Sequence, residues 1–322
     1  MISIIIPVFR NEENVPDLLG ALAAFHADIG PQMEVVFVVD GSPDQSYAVL
    51  RRALPGQPFR SKLVLLSRNF GSFAAIRAGM AHATGDLLAI MAADLQEPPE
   101  LIGQFRDTLV AGDCDVVFAT RDGRHDPLLA RVSSGLFWWF YRKFVQSRMP
   151  PGGFDVFACT RAFADQVLKL EEANSSLVAL VVWLGFRAKT IGYRRRPRRI
   201  GKSAWTFGKK WKYLLDSIFS FTDLPFRLLS FLGVVAVACA VIISTLAIVS
   251  RVTGRTPVPG YTITVVLIMF FGGINAIGLS LLGGYVWRAF ENTKARPNYL
   301  VAAVDAFAPG ASISRTSDGT AS

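Results

Sequence analysis

From residue 1 to about 125, short β-branched and aliphatic runs alternate with stretches whose apolar positions recur at helical spacing. Strand and helix patterns in that alternation mark an α/β domain with a largely parallel sheet. The runs predict strands at Ser3 to Pro7, Glu34 to Val39, Lys62 to Ser67, Leu87 to Met91 and Asp115 to Ala119. Helices are predicted between them at Asn14 to Phe25, Gln45 to Ala53, Ser72 to Ala83 and Pro99 to Ala111. After Leu224 the pattern changes: Leu228 to Ser250 is a 23-residue stretch with no charged side chain, and Tyr261 to Trp287 is a second, of 27 residues. At ~1.5 Å per residue either crosses a hydrocarbon layer of ~30 Å. Two transmembrane helices are therefore expected, joined by a turn at Arg251 to Gly260 that holds Pro257 and Pro259. A hairpin buried in a large soluble core is the alternative, but soluble helices apolar all round are rarely so long.

Between residues 128 and 148, Trp138, Trp139 and other aromatic residues crowd beside Arg131, Arg142, Lys143 and Arg148. That mixture suits a helix lying in the headgroup layer, or else an aromatic core helix. Arg187 to Lys212 holds eleven Lys or Arg in 26 positions and no Asp or Glu, which calls for an anionic partner or open solvent. A nucleic-acid arm is one reading of the run; its closeness to the first span favours lipid and donor phosphates instead. Lys209, Lys210, Lys212 and Arg227 before the spans, and Arg288, Lys294 and Arg296 after them, outnumber Arg251 and Arg255 between them. The positive-inside bias then places both termini in the cytoplasm.

The composition sharpens this picture. The 322 residues are 51% hydrophobic and only 18% charged, with a formal net charge of +9. Met1 to Phe9 has no basic leader and reads as a strand rather than a signal peptide. Cys114, Cys159 and Cys239 form neither a metal pattern nor a disulfide framework. His26, His82 and His125 read as ordinary surface or helix residues.

In a parallel sheet the ligand crevice lies beyond the C-terminal strand ends. Three polar clusters fall there: Phe9-Arg10-Asn11-Glu12, Asp40-Gly41-Ser42-Pro43-Asp44 and Asp94-Leu95-Gln96-Glu97. Singly each is an ordinary strand-ending turn; together they mark one edge as a candidate site.

In that order and spacing, the clusters resemble the family 2 glycosyltransferases. With Phe70-Gly71, Gly85-Asp86, the run Asp94 to Glu100, Gly283-Gly284-Tyr285 and Arg296-Pro297, the chain is similar to their polyprenyl-phosphate branch as far as about Leu300. The resemblance implies a GT-A-type nucleotide-sugar-binding domain with a mainly parallel sheet over 1–204, which includes the amphipathic interface helix at 128–148. Together with the apolar runs it gives a juxtamembrane helix at 205–227, spans at 228–250 and 261–287, and a cytoplasmic tail at 288–322, whose polar part after about 309 lies outside the resemblance and is expected to be disordered. Pro7, Phe9, Asn11 and Asp40 would hold the donor nucleotide, UDP being favoured over GDP by likeness to the bacterial members. Asp94 and Gln96 would hold a divalent cation, Mg2+ or Mn2+, on its diphosphate. Arg121, Arg131 and Arg195 would meet the acceptor phosphate of an undecaprenyl-type lipid, while Arg198 and Ser203 close over the donor. Asp155 lies either near the reacting centre or in a turn. The partners implied are nucleotide sugar, polyprenyl phosphate, membrane lipid and a second copy of the chain, with no nucleic acid.

The chain departs from the family pattern in several places. Val39 and Ala92 each replace a carboxylate, Asn11 stands where glutamate is common, and Gly153 and Asp155 replace an Asp and an Arg. A silent nucleotide-sugar-binding scaffold is therefore the rival to an inverting transferase. A processive synthase is disfavoured because no Gln-x-x-Arg-Trp motif occurs.

Overall fold

The computed structural model describes residues 1–121, 128–172, 176–196, 217–219, 221–222, 224–253, 261–309 and 314–315. The chain separates into two compact units, Met1–Lys209 with Arg296–Ser322, and Lys210–Ala295.

The first unit is α/β. Its strands are β1 (Ile2–Val8), β2 (Met33–Val39), β3 (Arg60–Leu66), β4 (Leu87–Ile90), β5 (Val116–Arg121), β6 (Val156–Thr160), β7 (Ala188–Tyr193), β8 (Val301–Phe307) and β9 (Ser314–Arg315). They form one sheet in the order β7-β5-β6-β4-β1-β2-β3-β8-β9. The pairs β1·β2, β1·β4, β2·β3 and β5·β7 are parallel, whereas β6 runs antiparallel to β4 and β5, and β8 to β3. Every residue of β2 is buried, as continuous Val-rich runs require when helices cover both sheet faces. The helices are α1 (Val15–Ile29), α2 (Ser46–Ala53), α3 (Ser72–His82), α4 (Glu100–Val110), α5 (Leu128–Phe144), α6 (Arg161–Lys169) and α7 (Leu177–Trp183). A Cβ on Gly79 would lie 2.3 Å from Ile5 Cγ2, so the missing side chain lets α3 approach β1 closely.

Two findings revise the sequence expectations. The first part of the basic run is β7, and three of its charges are met at the surface by carboxylates of the same chain: Arg187 pairs with Asp115 at 2.9 Å, Lys189 with Asp113, and Arg196 with Glu100 at 3.4 Å. The tail expected at 288–322 instead returns to the sheet as β8. There Asp305, only 2% exposed, accepts a hydrogen bond from Tyr47 Oη at 2.8 Å and pairs with Arg51 at 3.2 Å.

The second unit contains α8 (Leu224–Val252) and α9 (Tyr261–Thr293). Phe226 stacks on Tyr285 at 4.4 Å, and a Cβ on Gly278 would touch Leu229 at 3.6 Å. Rising numbers on α8 thus meet falling numbers on α9, so the helices are antiparallel. Among the described residues one stretch, Phe270–Thr293, is long and apolar enough to cross a membrane.

Candidate active site

The C-terminal ends of β1, β2 and β3 are stitched together by short polar side chains. Arg10 takes a positive φ of 50° as the chain leaves β1, and its amide donates to Ser42 Oγ at 2.7 Å. The Asn11 amide donates to Ser46 Oγ at 3.2 Å, and the Glu12 amide to Asp44 at 3.2 Å. Asp40 is 3% exposed and accepts from the amides of Phe70 and Gly71 at 2.7 and 2.8 Å. Burial pushes its carboxyl up, partly offset by those amides and by Arg68. Gly41 has φ +53°, and a Cβ there would sit 2.2 Å from the Arg68 carbonyl carbon, so glycine alone lets the two loops approach. Beside this knot Phe9 is 39% exposed under the Arg10 guanidinium, and Pro7 is half-buried on β1.

The second half of the edge is richer in charge. After β4 the chain turns through Leu95 at φ +53°, a conformation an aliphatic side chain rarely adopts, and Gln96 N donates to Asp94 Oδ1 at 3.3 Å. Gln96 Oε1 accepts from Arg195, Gln96 Nε2 donates to the Arg196 carbonyl at 3.4 Å, and the Gln96 carbonyl accepts from Arg196 N at 2.9 Å. These bonds tie the β4 loop to the exit of β7. At the end of β5, Arg121 grips Asp155 with two hydrogen bonds of 2.6 Å, and Tyr193 Oη donates to the same carboxylate at 2.7 Å. Burial raises the Asp155 carboxyl, but the bonds from Arg121 and Tyr193 outweigh it and hold the group below the usual carboxylate range.

Glu97 joins the two groups. It is 3% exposed, receives a long 3.4 Å contact from Tyr193 Oη, and its Oε2 has no hydrogen-bond partner among the described residues. Burial, reinforced by the neighbouring Asp94 and Asp155 charges, pushes its carboxyl above the usual range. The antiparallel insertion of β6 produces this convergence, because it starts where β4 and β5 end and so delivers Asp155 to their edge.

Asp40, Asp94, Gln96, Asp155, Arg121 and Arg195 thus all stand at one sheet edge. The backbone of Arg131 lies in α5 and its side chain is outside the described residues, as are Arg198 and Ser203 altogether. Glu97 and Arg68 were not among the expected site residues. Glu97 was visible as part of an acidic turn, while nothing in the sequence marks Arg68. Among the described residues no group of three His, Cys, Asp or Glu could hold a metal ion. The hard oxygens of half-buried Asp94 suit one corner of a Mg2+ or Mn2+ site completed by phosphates, whereas Gln96 Oε1 is engaged by a cation, Arg195.

Comparison with known proteins bears on what such an edge is for. Residues 3–170 match the family described as Glycosyl transferase family 2. An uncharacterised glycosyltransferase of Synechocystis is 32% identical over 301 residues, spanning 93% of this chain and 94% of its own. The bactoprenol glucosyl transferase of Shigella phage SfX is 30% identical over 93% of this chain and 98% of its own. The undecaprenyl-phosphate 4-deoxy-4-formamido-L-arabinose transferase of Klebsiella pneumoniae is 30% identical over 93% and 92%. With the matched family spanning more than half its length, including the edge that gathers these carboxylates and arginines, the chain belongs to glycosyl transferase family 2 and is a glycosyltransferase.

Proposed function

We propose that the enzyme moves a hexose from a UDP-sugar to a polyprenyl phosphate at the cytoplasmic face of a membrane, with inversion at the anomeric carbon. The observation that carries this reading is the joining of the Asp94 loop to Arg121 and Arg195 through Glu97, Tyr193 and Asp155 at one edge. The names of the phage and Klebsiella relatives supply the acceptor class.

In this mechanism an acceptor phosphate oxygen attacks the anomeric carbon in line with the departing nucleoside diphosphate. A phosphate monoester with a second pKa of ~6 is largely dianionic at neutral pH, so the acceptor brings its own nucleophile and needs no strong general base. Asp94 would help to hold a divalent cation on the donor phosphates, and that ion would supply charge neutralisation for the departing diphosphate. Arg121, aimed by Asp155, and Arg131 orient the acceptor, since a guanidinium fork grips phosphate oxygens in pairs. Gln96 holds Arg195 toward the same edge. Pro7, Phe9, Asn11 and Asp40 form the nucleoside end of the crevice, and Arg198 with Ser203 closes over the diphosphate.

Two spans, α8 and α9, hold the enzyme on the bilayer in this reading. Only 6% of the Phe270–Thr293 window is buried, and Leu228, Phe231, Val241 and Leu246 stand exposed on α8, surfaces that suit lipid. The test is release of UDP by purified protein with Mn2+ and a panel of UDP- and GDP-sugars. Release that requires an added short polyprenyl phosphate supports the reading. Donor binding with no release under any combination would mark a silent scaffold instead.

A further inference from the structure

A second cavity, of about 240 Å3, opens in the catalytic unit between α3, the end of α6 and the segment that leads into β8. That is many times the roughly 10–15 Å3 one water requires. Its lining includes Arg77, Glu171, Arg296, Asn298 and Tyr299, none of which belongs to the edge described above.

Arg77 decides its chemistry. The side chain leaves α3 and is 7% exposed, yet no carboxylate among the described residues lies within ion-pair distance of it. One nitrogen, Nη2, donates to the carbonyls of Leu168 (3.3 Å) and Leu170. Nε and Nη1 make no hydrogen bond among the described residues, and Arg77 lines the cavity. A buried guanidinium with two idle donors is costly unless an anion is available to complete it. Arg296 adds a second, exposed cation, and Asn298 and Tyr299 add a neutral amide and hydroxyl. Glu171, also in the lining, and its neighbour Glu172 are exposed and lie beyond ion-pair distance of Arg77, on which their charges act at longer range.

The geometry points to a binding site for an anionic phosphate group in this cavity, gripped by Arg77 and Arg296 and separate from the donor and acceptor sites. Arginine pairs over a cavity with amide and hydroxyl donors match phosphate oxygens, and a guanidinium donates to two of them at a time. The source is either a bilayer headgroup or free phosphate. Arg296 is the third residue after the last residue of α9, Thr293, which brings a headgroup within reach. That source rests on the proposed membrane spans, while phosphate binding itself does not.

The experiment is a thermal-unfolding titration of the full-length protein in neutral detergent, which needs no turnover and so stands or falls apart from sugar transfer. One arm adds inorganic phosphate, a second phosphatidylglycerol in mixed micelles, and a third phosphatidylcholine. Saturable stabilisation by phosphatidylglycerol over phosphatidylcholine identifies a headgroup; an equal effect from phosphate identifies the free ion; both support the site. Arg296→Gln, an exposed change, is expected to weaken the effective ligand about tenfold, the loss of one hydrogen bond to a charged group. Asp94→Asn should leave the titration unchanged. Arg77→Lys should also weaken binding, and if it fails to fold Arg296→Gln still decides. Equal curves for all three additives, or an Arg296→Gln curve matching the wild type, would overturn the proposal.

Discussion

Replacing Asp155 by asparagine tests the charged half of the site most directly. The carboxylate accepts two 2.6 Å bonds from Arg121 and one of 2.7 Å from Tyr193. An asparagine of the same shape keeps one acceptor oxygen but turns an amide donor toward the guanidinium, leaving Arg121 without its counter-ion. Hydrogen bonds to charged groups are worth about 1.5–3 kcal/mol each. The side chains of the pair are 33% and 24% exposed, so solvent screens part of this and ~2 kcal/mol is the expected net loss. If Arg121 also loses its aim at the acceptor, kcat/KM for the polyprenyl phosphate falls by about thirtyfold, since 1.36 kcal/mol is a factor of ten. A double-mutant cycle with Arg121→Gln isolates the pair, and the double variant should lose at least ~1 kcal/mol less than the two single losses combined. The pH dependence has a definite sign. Asp155 is held below its usual value in the fold, so its contribution is complete above an unfolded pKa of about 3.9 and is lost as pH falls through the lower folded value. The stability gap between wild type and Asp155→Asn should therefore be full at pH 7 and shrink below about pH 4 in thermal unfolding. Additive single losses together with a gap constant to pH 3 would refute the coupling.

Further outcomes follow from other parts of the molecule. Asp94→Asn should abolish Mn2+-dependent UDP release while leaving the melting temperature within a few degrees, and an unaltered rate would remove the cation from this residue. Arg131→Ala should raise KM for the lipid acceptor at least tenfold with donor affinity held within about twofold, measured by titrating each substrate; equal losses would sink its assigned role. Asp305→Ala removes the buried partner of half-buried Arg51 and Tyr47 and should cost about 2 kcal/mol in chemical unfolding, with kcat nearly unchanged below the melting range. Gly41→Ala forces a side chain to φ +53° against the Arg68 backbone, and reduced soluble expression with a melting point lower by several degrees is expected.

The parallel part of the sheet is legible because its strands are uninterrupted aliphatic runs: Ser3 to Pro7, Glu34 to Val39 and Lys62 to Ser67 each fall within a residue or two of β1, β2 and β3. β6 and β7 are not legible. Val156–Thr160 is only five residues, and β7 carries Lys189 on an exposed sheet edge, where a charge answered by Asp113 erases the apolar signal. β8 escapes for a different reason. Its pairing with β3 joins positions such as Leu63 and Asp305, a long-range register that no local pattern encodes. The candidate site divides in the same way. Strand-end clusters expose Asp40 and Asp94, because polar residues after an apolar run are visible in one dimension. The link among Glu97, Tyr193 and Asp155 arises only when an antiparallel strand delivers one residue beside two others.

That long-range strand also constrains the membrane topology. β3 and β8 share a six-residue register, so the chain before α8 and the chain after α9 are parts of one sheet. A sheet cannot be divided by a bilayer, since unpaired backbone groups are not tolerated in hydrocarbon. Whatever part of 210–295 enters the membrane must therefore return to the side it left. A lone spanning helix at Phe270–Thr293 would place β8 opposite β3 and is incompatible with the observed pairing, whereas two spans or none are compatible. Leu228, Phe231, Leu279 and Val286 are among the large apolar side chains that stand exposed on α8 and α9. The two spans proposed above, antiparallel in the second unit, are among the arrangements this pairing allows.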